Sequence, residues 1–299
     1  MNARTLLTMA CLAGAALTSS AHAQATGDTL KKIKETGSIT LGFRESSIPF
    51  SYLDGQQKPV GISIDLCDAI VAKVKQQLNL PRLEVKQVAV NSSNRIPLVA
   101  NGTVDIECGG TANNAARQKQ ASFSVATFVS QPVWLVRTDA GIKQTSNLKG
   151  KTVVVTQGSN AVAFARKVNE DQKLELNIIQ AKDHAESMLT LDSGRAVAWL
   201  EDDILVAGEK ANARNPGAFA LVGSNFDNIY YGLMFRKDDA EFKTLVDGVL
   251  GGLMKSGEFD RLYKKWFESP IPPRNMNLAF PMSDKLKERV KAPSDKIDG

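Results

Sequence analysis

Three arginines, Arg44, Arg95 and Arg117, stand where chain segments turn after stretches that read as β-strands. A guanidinium fork can hold a carboxylate through two hydrogen bonds. Each could equally be a surface arginine paired with a nearby acid. Ser92 and Asn160 lie in turns, 92–94 and 158–160, that open helices, where backbone N–H groups and the helix dipole favour anions. His184 falls in the first turn of another expected helix. Asp202 ends an expected strand and could accept hydrogen bonds from an ammonium group; Asp203 is better placed to cap the helix before Ile204. Three arginines against Asp202 give a balance of +2, and a protonated His184 would add one more. That balance suits a ligand with two carboxylates and one ammonium.

Catalysis needs more than this. A nucleophile would want Ser or Cys beside a base, yet His184 has no nucleophile-elbow motif with it. Glu45, Glu107 and Glu201 could move protons or simply be structural. No phosphate loop or dinucleotide fingerprint is present, and the Cys and His positions lack metal-ligand spacing, so no cofactor or metal is expected. Cys67 falls in a buried helix and Cys108 at a strand end. The expectation is two free buried thiols, which are common.

The elements that must place these residues alternate in type. Strands are expected over 39–43, 83–90 and 103–108, with helices over 65–78 and from Ser92 or Ser93, as cap, to Asn101. Leu66, Ile70, Val74 and Leu78 form the apolar stripe of the first helix. A second series follows: a strand over 151–156, a helix within 158–168, a strand over 176–180, a helix capped by Asp183 and ended by Gly194, and a strand over 196–200. NGTVDI and SGRAVAW then occupy equivalent places in two half-chains. Strand–helix alternation implies a parallel sheet with crossover helices. Two such series imply two α/β lobes. Crossings near 128–133 and 228–232 would make a two-strand hinge. The expected division is a first lobe over 24–130, a second over 131–230, and a return segment over 231–299. That return would include helices over 240–254 and 258–267, then a proline-interrupted stretch and a charged tail from Ser283. In open α/β sheets ligands bind at the carboxyl ends of strands. Segments 44–47, 92–95, 109–117 and 157–160, with His184 and 201–203, all follow strands and would line one cleft.

The first 23 residues read as an export signal. Arg4 is the positive start, 6–17 the apolar core and Ala21-His22-Ala23 the small-x-small cleavage site. The core is too short for a spanning helix. Removing the segment takes the formal charge from +5 to +4, because Arg4 goes with it. The remaining charge is spread along the chain without a basic run, which disfavours nucleic-acid binding. A periplasmic, monomeric chain is expected.

Several segments carry a family resemblance: GFRESSIPFSY from Gly42, SNRIPLVANGTVDIECGG from Ser93, RQKQASFS from Arg117, LKGKTVVVTQG from Leu148, AKDHAESMLTLDSGRAVA from Ala181 and WFESPIPPRN from Trp266. In this order, across nearly the whole chain, they resemble the family 3 periplasmic solute-binding proteins, and among them the glutamate/aspartate-binding group. The resemblance implies a type II periplasmic binding protein: two hinged lobes that close on an amino acid and deliver it to an ABC permease of the inner membrane. It implies that Arg117 clamps the ligand α-carboxylate and Asp202 accepts its ammonium. Arg44, Ser92, Arg95 and His184 would hold a side-chain carboxylate, with Phe50 and Tyr52 in the region of the apolar walls. The chain departs from that group at three positions. Gly110 and Ala112 stand where hydroxyl residues are usual, leaving backbone groups to bond the ligand, and Asn160 stands for Thr. Two other readings remain open: a dehydratase-like enzyme on the same fold, with Glu45 or Glu107 moving the proton, and a ligand-sensing module that docks on a separate receptor.

Overall fold

Both series of alternating segments fold as expected, each into its own five-stranded sheet. The computed structural model describes residues 28–297; the expected export signal lies outside them. In the first sheet Ser38–Phe43 sits between Glu84–Ala89 and Ile106–Glu107, parallel to both. Met234–Arg236 and Ala121–Phe123 extend it in antiparallel fashion. In the second, Thr152–Thr156 sits between Asn177–Ala181 and Ala198–Asp202, again parallel to both. Pro132–Arg137 and Phe219–Gly223 complete it. The inner strands are buried on both faces, which explains their continuous apolar runs.

The chain leaves the first sheet along Phe128–Ser130 and returns along Ile229–Tyr231. These two strands pair antiparallel, and Ala112–Asn113 pairs on the far side of Ile229–Tyr231. Phe128 and Tyr231 are anchored in an aromatic cluster with Phe50, Tyr263 and Phe267; the Phe50–Phe128 and Phe128–Phe267 ring centroids are 5.1 and 5.2 Å apart. The connecting strands are thus fastened to the first lobe by the returning helix Glu258–Phe267. The charged tail forms a docked helix, Asp284–Lys291, capped by Ser283 and holding Leu286 fully buried.

Three expectations need correction. The helix expected from residue 65 spans Ile62–Leu78. Its cap is Gly61, whose backbone passes so close to Phe50 that a Cβ there would collide with the Phe50 carbonyl group. Neither Ser92 nor Ser93 caps Arg95–Ala100: the Asn91 side chain accepts from the Ser93 and Asn94 N–H groups instead, at 2.9 and 3.0 Å. Finally, Cys67 and Cys108 are not free thiols but form a disulfide. The helix carrying Cys67 lies over the sheet with its Cα 6.2 Å from that of Cys108, within bridging range.

Candidate functional site

The carboxyl ends of the two sheets face one another, and the loops leaving them meet around a small cavity with about 10 Å³ of free space. All nine expected site residues line it: Arg44, Ser92, Arg95, Gly110, Ala112, Arg117, Asn160, His184 and Asp202, joined by Ser159, Glu201 and Leu205. Two larger depressions, of about 460 and 630 Å³, are open surface features. The small cavity is the better candidate because it concentrates buried charge where the strand ends of both sheets converge.

The first lobe supplies the cations. Arg44 leaves the end of Ser38–Phe43, and its Nη2 donates to Ser92 Oγ at 3.1 Å. Arg95 opens the helix Arg95–Ala100; its Nη1 donates to Thr111 Oγ1 at 2.6 Å and to the Gly110 carbonyl at 3.3 Å. Thr111 in turn donates to Glu107 Oε2 at 2.6 Å. Arg117 lies in the short helix Ala115–Gln118, where the Asn114 side chain accepts its N–H. Arg117 Nη1 donates to the Ala112 carbonyl at 2.9 Å. The carbonyls of Gly110 and Ala112 are therefore already engaged by arginines, which narrows the expectation that their backbone serves a ligand. Gly110 has a packing reason to lack a side chain, since a Cβ there would lie 2.9 Å from the Tyr231 ring and 3.1 Å from that of Phe50.

The second lobe supplies the acids. Asp202 ends Ala198–Asp202; its Oδ2 accepts from the Tyr231 hydroxyl, while Oδ1 is buried without a hydrogen-bond partner among the described residues. The cap expected at Asp203 is displaced by one residue, because the helix Asp203–Asn212 begins at Asp203 itself. Asp202 occupies the cap position but does not cap, and the Asp203 carboxylate accepts from the Ile204 N–H at 2.7 Å. His184 opens His184–Asp192 behind its cap Asp183. Its Nδ1 is 3.2 Å from the Ser46 carbonyl and 3.1 Å from Ser47 Oγ. A carbonyl can only accept, so the neutral ring carries its proton on Nδ1 and presents an unprotonated Nε2.

The lobes touch across the cleft. Arg117 Nη2 donates to the Gly158 carbonyl at 3.1 Å, Asn114 Nδ2 to Asn160 Oδ1 at 3.0 Å and Ser93 Oγ to the Gln157 carbonyl at 3.2 Å. His184 meets Ser46 and Ser47 at the opposite end. The arrangement is closed, and the cavity lies between these contacts.

Burial governs the titrations. It pulls Arg117 down to about 9 and Arg44 to about 10, with Arg95 adding to both, so both remain cations at neutral pH. Burial, then Arg44 and Arg95, holds His184 well below the usual histidine range. The extra charge expected from a protonated His184 is thus absent. Burial, with the adjacent Glu201, pushes Asp202 well above the carboxylate range. The expected +2 balance also fails, because Glu201 lines the cavity and Glu107, fully buried, backs Arg95 with a 3.9 Å ion-pair distance. Three cations thus face three acids.

Glu201 falls in the 201–203 segment expected at the cleft but carries no expected ligand role; it and Asp202 point to opposite faces of the strand, yet at a strand end both border the cavity. Ser159 lies within the expected 157–160 segment beside Asn160, and Leu205 sits about one helical turn beyond Asp202. Phe50 and Tyr52 do not line the cavity. Phe50 packs behind Gly110, and the Tyr52 hydroxyl donates to the Pro272 carbonyl at 2.9 Å. Of the candidate proton-moving acids, Glu45 is exposed outside the cavity and Glu107 lies behind Arg95.

Residues 39–269 match the bacterial extracellular solute-binding proteins, family 3. The chain is 49% identical over 294 residues to a glutamate/aspartate import solute-binding protein of Escherichia coli (strain K12), covering 98% of this chain and 97% of that one. It is 51% identical over 269 residues to an L-glutamate/L-aspartate-binding protein of Pseudomonas aeruginosa, covering 90% and 89%. Among solved structures, a mutant of the arginine-binding protein ArgBP from T. maritima superposes with a TM-score of 0.71 at 25% identity, over 80% of this chain and 98% of that one. With its two α/β lobes and cleft of the type II periplasmic binding fold, the chain belongs to the bacterial extracellular solute-binding proteins, family 3.

Proposed function

We propose that this chain captures an acidic amino acid, L-glutamate or L-aspartate, by closing two lobes on it, and hands it to an ABC permease. The observation that carries this reading is the polarity of the cavity. Three buried arginines converge from one lobe, and an unpartnered Asp202 oxygen faces them from the other. Arg117 takes the α-carboxylate through its fork, and Asp202 Oδ1 takes the ammonium. Arg44, whose Nη1 has no partner among the described residues, takes the distal carboxylate with Arg95, Ser92 and His184. Gly110, Ala112 and Asn160 complete the wall. A buried carboxylate is tolerable only against such fixed donors. The names of the E. coli and P. aeruginosa relatives support the same ligand class.

The protein acts in the periplasm after residues 1–23 are removed, as a monomer that binds without turnover. Its lobes comprise 24–130 with 231–299, and 131–230. The paired strands Phe128–Ser130 and Ile229–Tyr231 are the hinge about which the lobes open and close. Calorimetry of refolded, ligand-stripped protein against a panel of amino acids tests the reading. Glutamate or aspartate should outcompete glutamine, alanine and leucine, and glutamate should be recovered unchanged. Equal or tighter binding of a neutral amino acid would refute the assignment.

A further inference from the structure

Glu201 lines the cavity yet has no part in the site as drawn so far. Its side chain is buried, and its Oε2 lies 3.8 Å from His184 Nε2 with no hydrogen-bond partner among the described residues. His184 gives its single proton to the Ser46 carbonyl side, so Nε2 is an acceptor. An ionised Glu201 would place a second acceptor against it, and a distal ligand carboxylate would bring a third into the same pocket. Three acceptors without a proton repel one another in a low-dielectric site.

The charge count points the same way. Once a ligand ammonium holds Asp202 ionised against the burial that raises it, Arg44, Arg95 and Arg117 are matched by Glu107, Glu201 and Asp202. A dicarboxylic amino acid adds a net charge of −1, which one proton cancels. We propose that Glu201 is a specificity-determining residue: with His184 it carries one proton when an acidic ligand is bound, and its neutral carboxyl donates a hydrogen bond to the ligand's distal carboxylate or to His184 Nε2. This rests on the acidic-amino-acid reading above. The proton comes from water as the lobes close. Asp202 adjoins Glu201 on the same strand and disfavours its ionisation; Arg95, Arg44 and Arg117 across the cavity favour it. Burial outweighs them and raises Glu201, with the Ser159 and Thr156 hydroxyls offsetting part of the effect. The same burial lowers His184, so the shared proton rests on Glu201.

Opening the cleft would admit water to both groups and relax these shifts toward the ordinary carboxylate and imidazole ranges. Above about pH 6.5 the free pair carries no proton and the bound pair carries one. The bound state therefore holds more protons, and affinity falls as pH rises, by up to about tenfold per unit. Below about pH 6.5 free His184 is already protonated and the dependence flattens. Glutamine brings its own N–H donors and needs no proton.

Titration calorimetry between pH 6 and 8.5, in paired buffers of different ionisation heat, counts the protons directly. L-Glutamate should take up close to one proton at pH 8, and its affinity should fall by up to about 30-fold between pH 6.5 and 8. L-Glutamine should show neither effect. Glu201→Gln supplies a donor without titrating, so it should lose the uptake and bind glutamate more tightly than the parent at pH 8. Glu201→Met, which cannot donate, should lose the uptake without that gain. Glutamate binding to the parent protein without proton uptake at pH 8 overturns the inference alone, as does undiminished uptake in Glu201→Gln. Binding of neutral amino acids but of no dicarboxylate overturns the acidic-ligand reading and this inference with it.

Discussion

Arg117→Ala separates the two ends of the proposed ligand. Arg117 is 7% exposed, and its guanidinium already donates to the Ala112 and Gly158 carbonyls, one from each lobe. Truncation leaves the ligand α-carboxylate enclosed without its fork, a loss of about 2–5 kcal/mol, or roughly 30-fold to several-thousand-fold in affinity. The bond to Gly158 forms only when the lobes meet, so its loss also disfavours closure. Arg117→Lys should recover only part, because an ammonium is a point charge rather than a planar fork. The loss should extend to every amino acid that binds, since all share the α-carboxylate. Arg44→Ala should instead weaken acidic ligands selectively. Calorimetric titrations of both mutants measure this, with ligand-free unfolding curves to confirm folding. A folded Arg117→Ala protein with near-normal affinity for glutamate would refute the clamp.

The disulfide, Gly110 and Glu209 each carry a further prediction. Cys67 and Cys108 are 41 residues apart, so Cys67→Ser with Cys108→Ser should cost about 4 kcal/mol by loop-closure entropy, read by denaturant unfolding. Gly110→Ser should not tighten binding as a restored hydroxyl would suggest. Its Cβ must displace Tyr231 or Phe50, at a cost of about 1–3 kcal/mol, visible as a lowered Tm. Burial, with some help from Asp183, pushes Glu209 up to about 8. Unfolded, it titrates near 4.3, so between about pH 4.3 and 8 the folded state holds a proton that the unfolded state has lost. This group's contribution to stability therefore falls as pH rises through that window. Glu209→Gln should raise Tm more at pH 8 than at pH 5, and an equal change at both would contradict the sign.

Features set by neighbours in the chain were legible before the fold was seen. Asp183 caps His184–Asp192, and Gly194 adopts a positive φ just beyond that helix, as an end signal should. Strand–helix alternation places all nine expected residues around one cavity because their loops follow strands that share an end. Features set by distant packing were not legible. The Cys67–Cys108 bridge depends on where a helix crosses a sheet. Gly110 is small because Tyr231 and Phe50 arrive from elsewhere in the chain. Glu107 and Glu201 alter the charge balance only once burial and the lobe contact bring them against the arginines. Ser92 and Ser93 were plausible caps, but the Asn91 side chain reached the same N–H groups from its own turn.

A crystal structure of the protein soaked or grown with L-glutamate tests the central claim most directly. The account predicts one ligand in the cavity, its α-carboxylate on Arg117, its ammonium on Asp202 Oδ1 and its distal carboxylate between Arg44, Arg95, Ser92 and His184. A glutamate bound in the reverse orientation, or bound with Arg44 and Arg95 facing away from it, would contradict the account.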